Sequence, residues 1–192
     1  MWWFLFKQLY PEDNSSDPDH YPTISSKISV FNSAIATFYA PSDDSGICGM
    51  HHEHLYSTSS WHRWGPRQDT ALVVEDQSKP GMQGLWVVRI KLLFSFSFEG
   101  VDYPCALIEW FQTIDNHPDS DTGLWKVKLD MTHGEHNMSM LHLDMFLCGA
   151  HLLPVFGDHP LPQNFHNSFT LDLFHTYFVN NFIDHASHEM VF

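Results

Sequence analysis

Trp86-VVRIKLLFSFSFEGVDYPCALIEW-Phe111 is the stretch that decides the fold. Its even positions, Trp86, Val88, Ile90, Leu92, Phe94, Phe96 and Phe98, are apolar without a break. Its odd positions, Arg89, Lys91, Ser95, Ser97 and Glu99 among them, are mostly polar. A period of two held this long predicts a strand with one buried face. Glu99-Gly100-Val101-Asp102 reads as a turn, and Tyr103 to Phe111 runs back apolar on both sides, so the whole is one long hairpin. At ~3.3 Å per residue a strand from Trp86 to Phe98 reaches about 43 Å. A compact chain of this size has a radius of gyration near ~16 Å. The strand must therefore bend, which favours a small closed or half-open barrel, with Ser95 and Ser97 as candidates for the bend.

Working outward, residues 28–192 read as a single β-barrel-like domain, and 1–27 as an unassigned lead-in and linker. Residues 1–10 fit one or two apolar helical turns, and Pro11 to Pro22 has the composition of a linker. Ile28 to Tyr39, Thr70 to Glu75, Leu124 to Leu129 and Met138 to Leu143 have strand character. Met50 to Tyr56 reads as a short helical turn, and Ser57 to Gln68 as an irregular loop pinned by its tryptophans. His151 to Phe156 fits either a strand or the end of a short helix. Leu171, Phe174, Phe178 and Phe182 recur at spacings of three and four, which predicts an amphipathic C-terminal helix of about four turns with Thr170 as N-cap. The fold class expected is mainly β, a small curved barrel of SH3-like or BAH-like kind closed by that helix.

Composition excludes several functions. The chain of 192 residues carries 9 Lys+Arg against 23 Asp+Glu, a formal net charge of −14 with its 15 histidines neutral. That balance repels phosphate backbones, so direct nucleic-acid binding is not expected. No run approaches the ~20 apolar residues of a membrane helix, and the apolar opening is shorter than a signal peptide. Cys48, Cys105 and Cys148 are far apart and form no C-x-x-C pair, which fits reduced thiols in an intracellular protein.

Four constellations carry possible chemistry. His51 and His54, within His51-His52-Glu53-His54, would share a face of a helix and are candidate metal ligands, but no second pair at a recognisable spacing and no C-x-x-C accompanies them, which favours a solvated polar loop. Asp184, His185, His188 and Glu189 are the second, with Asp184/His188 and His185/Glu189 each four apart on a helix. His185 and His188 are candidate metal ligands there, and charge at a helix C-terminus is the structural account. His142-Leu143-Asp144 with His151 suggests an oriented base, but no nucleophile motif accompanies it. Trp61, Trp64, Trp110 and Trp125 are candidates for an aromatic cage around a methylated lysine, against core packing as the simpler role. His133-Gly134-Glu135-His136 reads as a hairpin turn. There is no G-x-S-x-G, P-loop, G-x-G-x-x-G or H-E-x-x-H. No catalytic residue and no cofactor are expected.

The order of five segments resembles the C-terminal region of Plavaka-type transposases of mushroom-forming fungi. They are FYAPSDDSGICGM (38–50), PGMQGLWVVRIKLLFSFSFEGVDYPCALIEWF (80–111), DTGLWKV (121–127), LHLDMFLCGAHLLPVFG (141–157) and FVNNFIDHASHEMVF (178–192). The resemblance implies that a catalytic core of RNase-H type lies upstream and that its metal-binding carboxylates have no counterpart here. It implies a non-catalytic, nuclear module with protein or chromatin partners, and a truncated remnant as its origin. Where the family often carries basic residues, this chain has His51 and His52. The rival expectation is a metal-dependent β-barrel enzyme using the clustered histidines.

Overall fold

A computed structural model describes residues 1–13, 21–40, 46–63, 65–157, 161, 165–166 and 169–191. Helix α1 (Trp2–Leu9) leads into strands β1 (Ser29–Phe31), β2 (Ser33–Tyr39), β3 (Met50–Thr58), β4 (Arg67–Gln68) and β5 (Thr70–Val74). The long hairpin follows as β6 (Leu85–Phe98) and β7 (Val101–Thr113). Then come β8 (Trp125–Leu129), β9 (Met131–Thr132), β10 (Glu135–His136), β11 (Met138–His142), β12 (Phe146–Gly149) and β13 (Leu152–Pro154). Helix α2 (Thr170–Leu173), strand β14 (Tyr177–Val179) and helix α3 (His185–Val191) complete the described chain. The protein is mainly β, with a sheet curled into a half barrel and a C-terminal helix.

The hairpin is the spine of that sheet. Glu99 and Gly100 both have positive φ, 51° and 81°, the geometry of a two-residue turn whose twist matches the strands it joins. The sheet runs β12-β5-β6-β7-β8-β14-β13. β5 pairs with the near end of β6 (85–89) and β1 with its far end (93–95). β8 pairs with 111–113 of β7, and β11 with 105–109. Each long strand thus changes neighbour along its length, which lets the sheet curl. A second small sheet, β2-β3-β4, packs against it through Ala36 and Leu55.

The expected polar face of β6 is not solvent-facing. The pairing with β7 slips between Ile90 and Leu92, leaving Lys91 as the extra residue of a bulge. A one-residue insertion moves every later side chain to the opposite face. Val88 and Ile90 therefore share a face with Leu93, in an apolar cluster completed by Ala106, Ile108, Ala36 of β2 and Leu55 of β3. Phe94 and Phe96 share the other face with Cys105 and with Leu5 of α1. Val87 and Phe111, at the near end of that face, join Val127, Tyr177, Val179 and Val191 of α3. Both faces are covered, and the irregularity sits at Lys91 rather than at Ser95 or Ser97.

Three further expectations are corrected. Ile28 to Tyr39 is two strands broken at Asn32, whose carbonyl accepts from Ser57 N at 2.9 Å. Met50 to Tyr56 is part of strand β3, with Leu55 and Ser57 buried in alternation. The four-turn helix over Thr170–Ile183 is instead one helical turn, a strand and a bend, and the C-terminal helix begins at His185. Tyr177, Val179 and Asn181 are all buried, alternating with outward side chains. A period of two governs there, because this segment fills the gap between β8 and β13. His151 to Phe156 contains the short strand β13, and His133-Gly134 is the turn between β9 and β10, with φ of 55° and 83°. Most of the Pro11–Pro22 linker lies outside the described residues, as do most of a loop at Pro41–Gly46 and of a turn at Asp158–Pro162 that the Pro, Asp and Gly content also predicts.

Candidate functional site

A cleft of about 410 Å³ opens between β3, β12 and the start of α3. Strand β3 contributes it through alternation: His51, Glu53 and Leu55 point to one side, while His52, His54 and Tyr56 point to the other. His51 and His54 are three apart on a strand, so they do not share a face as they would on a helix. Both border the cleft. Asp184 and Ser187 of the other histidine-bearing segment border it as well. Folding thus brings the two segments singled out for metal binding to one place. His185 and His188 are otherwise engaged: His185 pairs with Glu189 at 3.2 Å, and His188 Nδ1 faces Asn181 Nδ2 at 3.5 Å. Among the described residues no three His, Cys, Asp or Glu side chains converge to hold a metal ion.

The carboxylates of the cleft are committed to the fold. Glu53 Oε2 accepts from Gly149 N at 2.7 Å, and a Cβ on Gly149 would sit 2.5 Å from Glu53 Oε1. Only glycine permits that approach. Asp184 Oδ1 accepts from Ser187 N at 2.6 Å, capping the first turn of α3. Asp69 accepts from Arg67 Nε at 2.7 Å and Nη2 at 3.0 Å, and also from Tyr56 N at 2.9 Å.

On the far side of Asp69 the chain builds an aromatic wedge. The Tyr56 and Trp61 rings are 4.5 Å apart at 57°. The Arg67 guanidinium carbon lies 4.3 Å from the first ring centroid and 4.4 Å from the second. His54 stacks on Tyr56, and His62 meets Trp61 edge-on. The four tryptophans do not form one cage. Trp110 packs edge-on against Trp86 and donates to Ser139 Oγ at 2.9 Å, whereas Trp125 is buried in the cluster with Val127 and Tyr177. Trp64 lies outside the described residues. Of the three candidate tryptophans among the described residues, Trp61 alone stands against a cation, with partners Tyr56, Arg67 and Asp69 that the spacing along the chain does not show. Their signal was the spacing Tyr56…Asp69 across paired strands β3 and β4, which is visible only once the pairing is known.

A second polar group lies inside the sheet. Arg89 and Glu109 face each other across the hairpin, 5% and 4% exposed, their side chains 3.6 Å apart. Glu109 Oε1 also meets Lys91 Nζ at 3.2 Å and His136 Nδ1 at 2.8 Å. Asp172 of α2 closes on Arg89, with Nη2 to Oδ2 at 3.3 Å. Hydrogen bonds from Arg89 hold the Asp172 carboxyl below its usual range, against the opposing effect of burial. Burial pushes the Cys105 and Cys148 thiols up to about 12 and the Tyr177 hydroxyl up to about 12. Such thiols stay protonated at neutral pH and are poor nucleophiles. His142 and Asp144 meet at 3.2 Å, and His151 Nδ1 faces Asn180 Nδ2 at 3.1 Å, so the third constellation is split between two partners. No helix among the described residues is long and apolar enough to cross a membrane. Compared with protein-family models, with curated proteins and with solved structures, the chain matches none.

Proposed function

We propose that this chain is a non-catalytic interaction module of a transposase-derived protein, working through protein contacts in the setting of nuclear chromatin. The observation that carries the reading is the commitment of the cleft's carboxylates: Glu53 to Gly149, Asp69 to Arg67 and Asp184 to the first turn of α3. Two-metal phosphoryl transfer needs carboxylates aimed together at an open site, and hydrolysis needs an available acid or base. Here each carboxylate is turned to hold a piece of backbone or a neighbouring cation. The resemblance of the five segments to the tail of Plavaka-type transposases supports the origin and the nuclear setting. The net charge of −14 supports protein rather than nucleic acid as the partner. Incubation of the purified chain with duplex DNA and Mg²⁺ or Mn²⁺ is expected to leave the DNA intact; cutting or joining would overturn the reading. The rival, a metal-dependent enzyme using the cleft histidines, requires stoichiometric Zn, Fe or Mn in the purified protein. Elemental analysis is expected to find none.

A further inference from the structure

The wedge beside the cleft has the composition of a receptor for an organic cation, and the chain fills it with its own Arg67. Tyr56 and Trp61 supply two aromatic walls, and both centroids lie within 4.4 Å of the guanidinium carbon. Ring quadrupoles attract a cation held over them, most strongly one that is weakly hydrated. Asp69 supplies the countercharge at the base of the wedge, through two hydrogen bonds to the guanidinium. Asp69 does not depend on Arg67 for its position, because Tyr56 N also donates to it.

Two observations separate this arrangement from a simple brace. The Arg67 side chain is 36% exposed and sits on a strand of two residues, so it can swing out without disturbing the core. The loop carrying Trp61 holds His62 and Arg63 in succession at φ of 48° and 69°, a conformation that L side chains rarely adopt. A brace for Asp69 alone needs no such loop. Next to the wedge, His54, Arg67 and Asp69 border the cleft of about 410 Å³, which offers room for the residues flanking an inserted side chain. The chain as a whole carries an excess of acidic residues, which favours a basic partner segment.

We propose that Tyr56, Trp61 and Asp69 form a binding site for the weakly hydrated cationic side chain of a partner peptide, a trimethylated lysine or an arginine, and that Arg67 occupies it until displaced. The proposal rests on the interaction-module reading and names the chemistry of the partner. It is tested with one basic peptide made in three forms, carrying lysine, trimethyllysine or arginine at its centre. Binding is followed by calorimetry and by quenching of tryptophan fluorescence. Arg67→Ala is expected to bind the trimethyllysine or the arginine form about tenfold more tightly than the unaltered chain, the scale of a partly desolvated cation–π contact. Which of the two gains more identifies the source. The lysine form, more strongly hydrated, is expected to gain less. Adding Trp61→Ala to Arg67→Ala is expected to abolish the gain. An Arg67→Ala chain that binds no more tightly, or a gain that survives loss of Trp61, overturns the proposal. If Arg67→Ala fails to fold, Arg67→Lys takes its place: it cannot make the bidentate bond to Asp69, and about a threefold gain is expected, with no gain overturning the site. These outcomes are independent of DNA cleavage, so failure here leaves the non-catalytic reading standing, and cleavage alone overturns that reading.

Discussion

The Arg89 guanidinium lies inside the sheet between two carboxylates: Glu109 faces it across the hairpin and Asp172 reaches over from α2. Removing one partner of a buried cation leaves donors without acceptors, whereas an exposed pair contributes little. Asp172 is half-exposed and Arg89 is not, so the cost of breaking the contact falls on Arg89. The Asp172 carboxyl is depressed first by the Arg89 hydrogen bonds, with the charges of Arg89, Lys91 and His136 adding to them. A carboxyl whose folded value lies below its unfolded value of about 3.9 stabilises the fold above that pH. The contribution is lost as pH falls through the folded value. Asp172→Asn keeps one acceptor oxygen but loses the charge and one of the two bonds to Arg89, and with Asp172 half-exposed it is expected to lower stability at pH 7 by about 1 kcal/mol. Urea unfolding at pH 7 and near pH 3 reads the difference between the two proteins. It should shrink at the lower pH, and a difference unchanged between the two would show that the carboxylate charge is not its source.

At the scale of elements, the bulge at Lys91 is what lets one strand serve two clusters on opposite faces. The alternation that predicts β6 is real on each side of it: Val88 and Ile90 before, Phe94 and Phe96 after. The slip itself was hidden because Leu92 and Leu93 are both apolar, so either register reads as a buried face. Strand β3 was hidden for a different reason. Its inward positions His51 and Glu53 are polar, since they face the cleft rather than the core, and the period of two is lost in composition. At β14 the apolar spacing was consistent with a helix, and only the neighbours β8 and β13 decide for a strand. Trp61 was legible as a site residue by type; the wedge around it depends on pairing between β3 and β4 that no spacing along the chain reveals. Deleting Lys91 gives a direct test of the bulge. Without the extra residue the ladder runs on unbroken, with Leu92 still opposite Leu107 and Leu93 still opposite Ala106, so Leu93 keeps its place beside Ile90 and Phe94 and Phe96 keep the α1 side. The chain lacking Lys91 is expected to unfold cooperatively with a slope close to that of the unaltered chain, whereas deletion of Ser95, in the regularly paired part of the strand, puts Phe94 and Phe96 on opposite faces and is expected to lose the cooperative transition. Equal behaviour of the two would remove the bulge from the account.

At the scale of the molecule, the described residues form three apolar clusters on the curled sheet, and α1 completes the one at the far end of the hairpin. Leu5 is fully buried against Phe94, Phe96 and Cys105, so one face of α1 packs on the far end of the hairpin while Trp2 and Trp3 stay exposed. Helix α1 has eight residues and no side-chain cap at its start. An isolated helix of that length is unstable in water, so its order depends on this contact. The cysteines report on the arrangement: Cys48 is exposed, Cys105 lies under α1, and Cys148 lies in the cluster closed by α3. A thiol reagent is expected to modify one cysteine per chain rapidly in the native state and all three after unfolding. Leu5→Ala removes buried methyl groups at a cost of about 2–5 kcal/mol to whatever unit depends on them. If α1 opens separately from the rest of the core, that cost falls on its docking. Cys105 should then react many times faster than before, while Cys148 keeps its slow rate. Equal acceleration of Cys105 and Cys148 would instead mean that α1 and the half barrel open only together, as one cooperative unit.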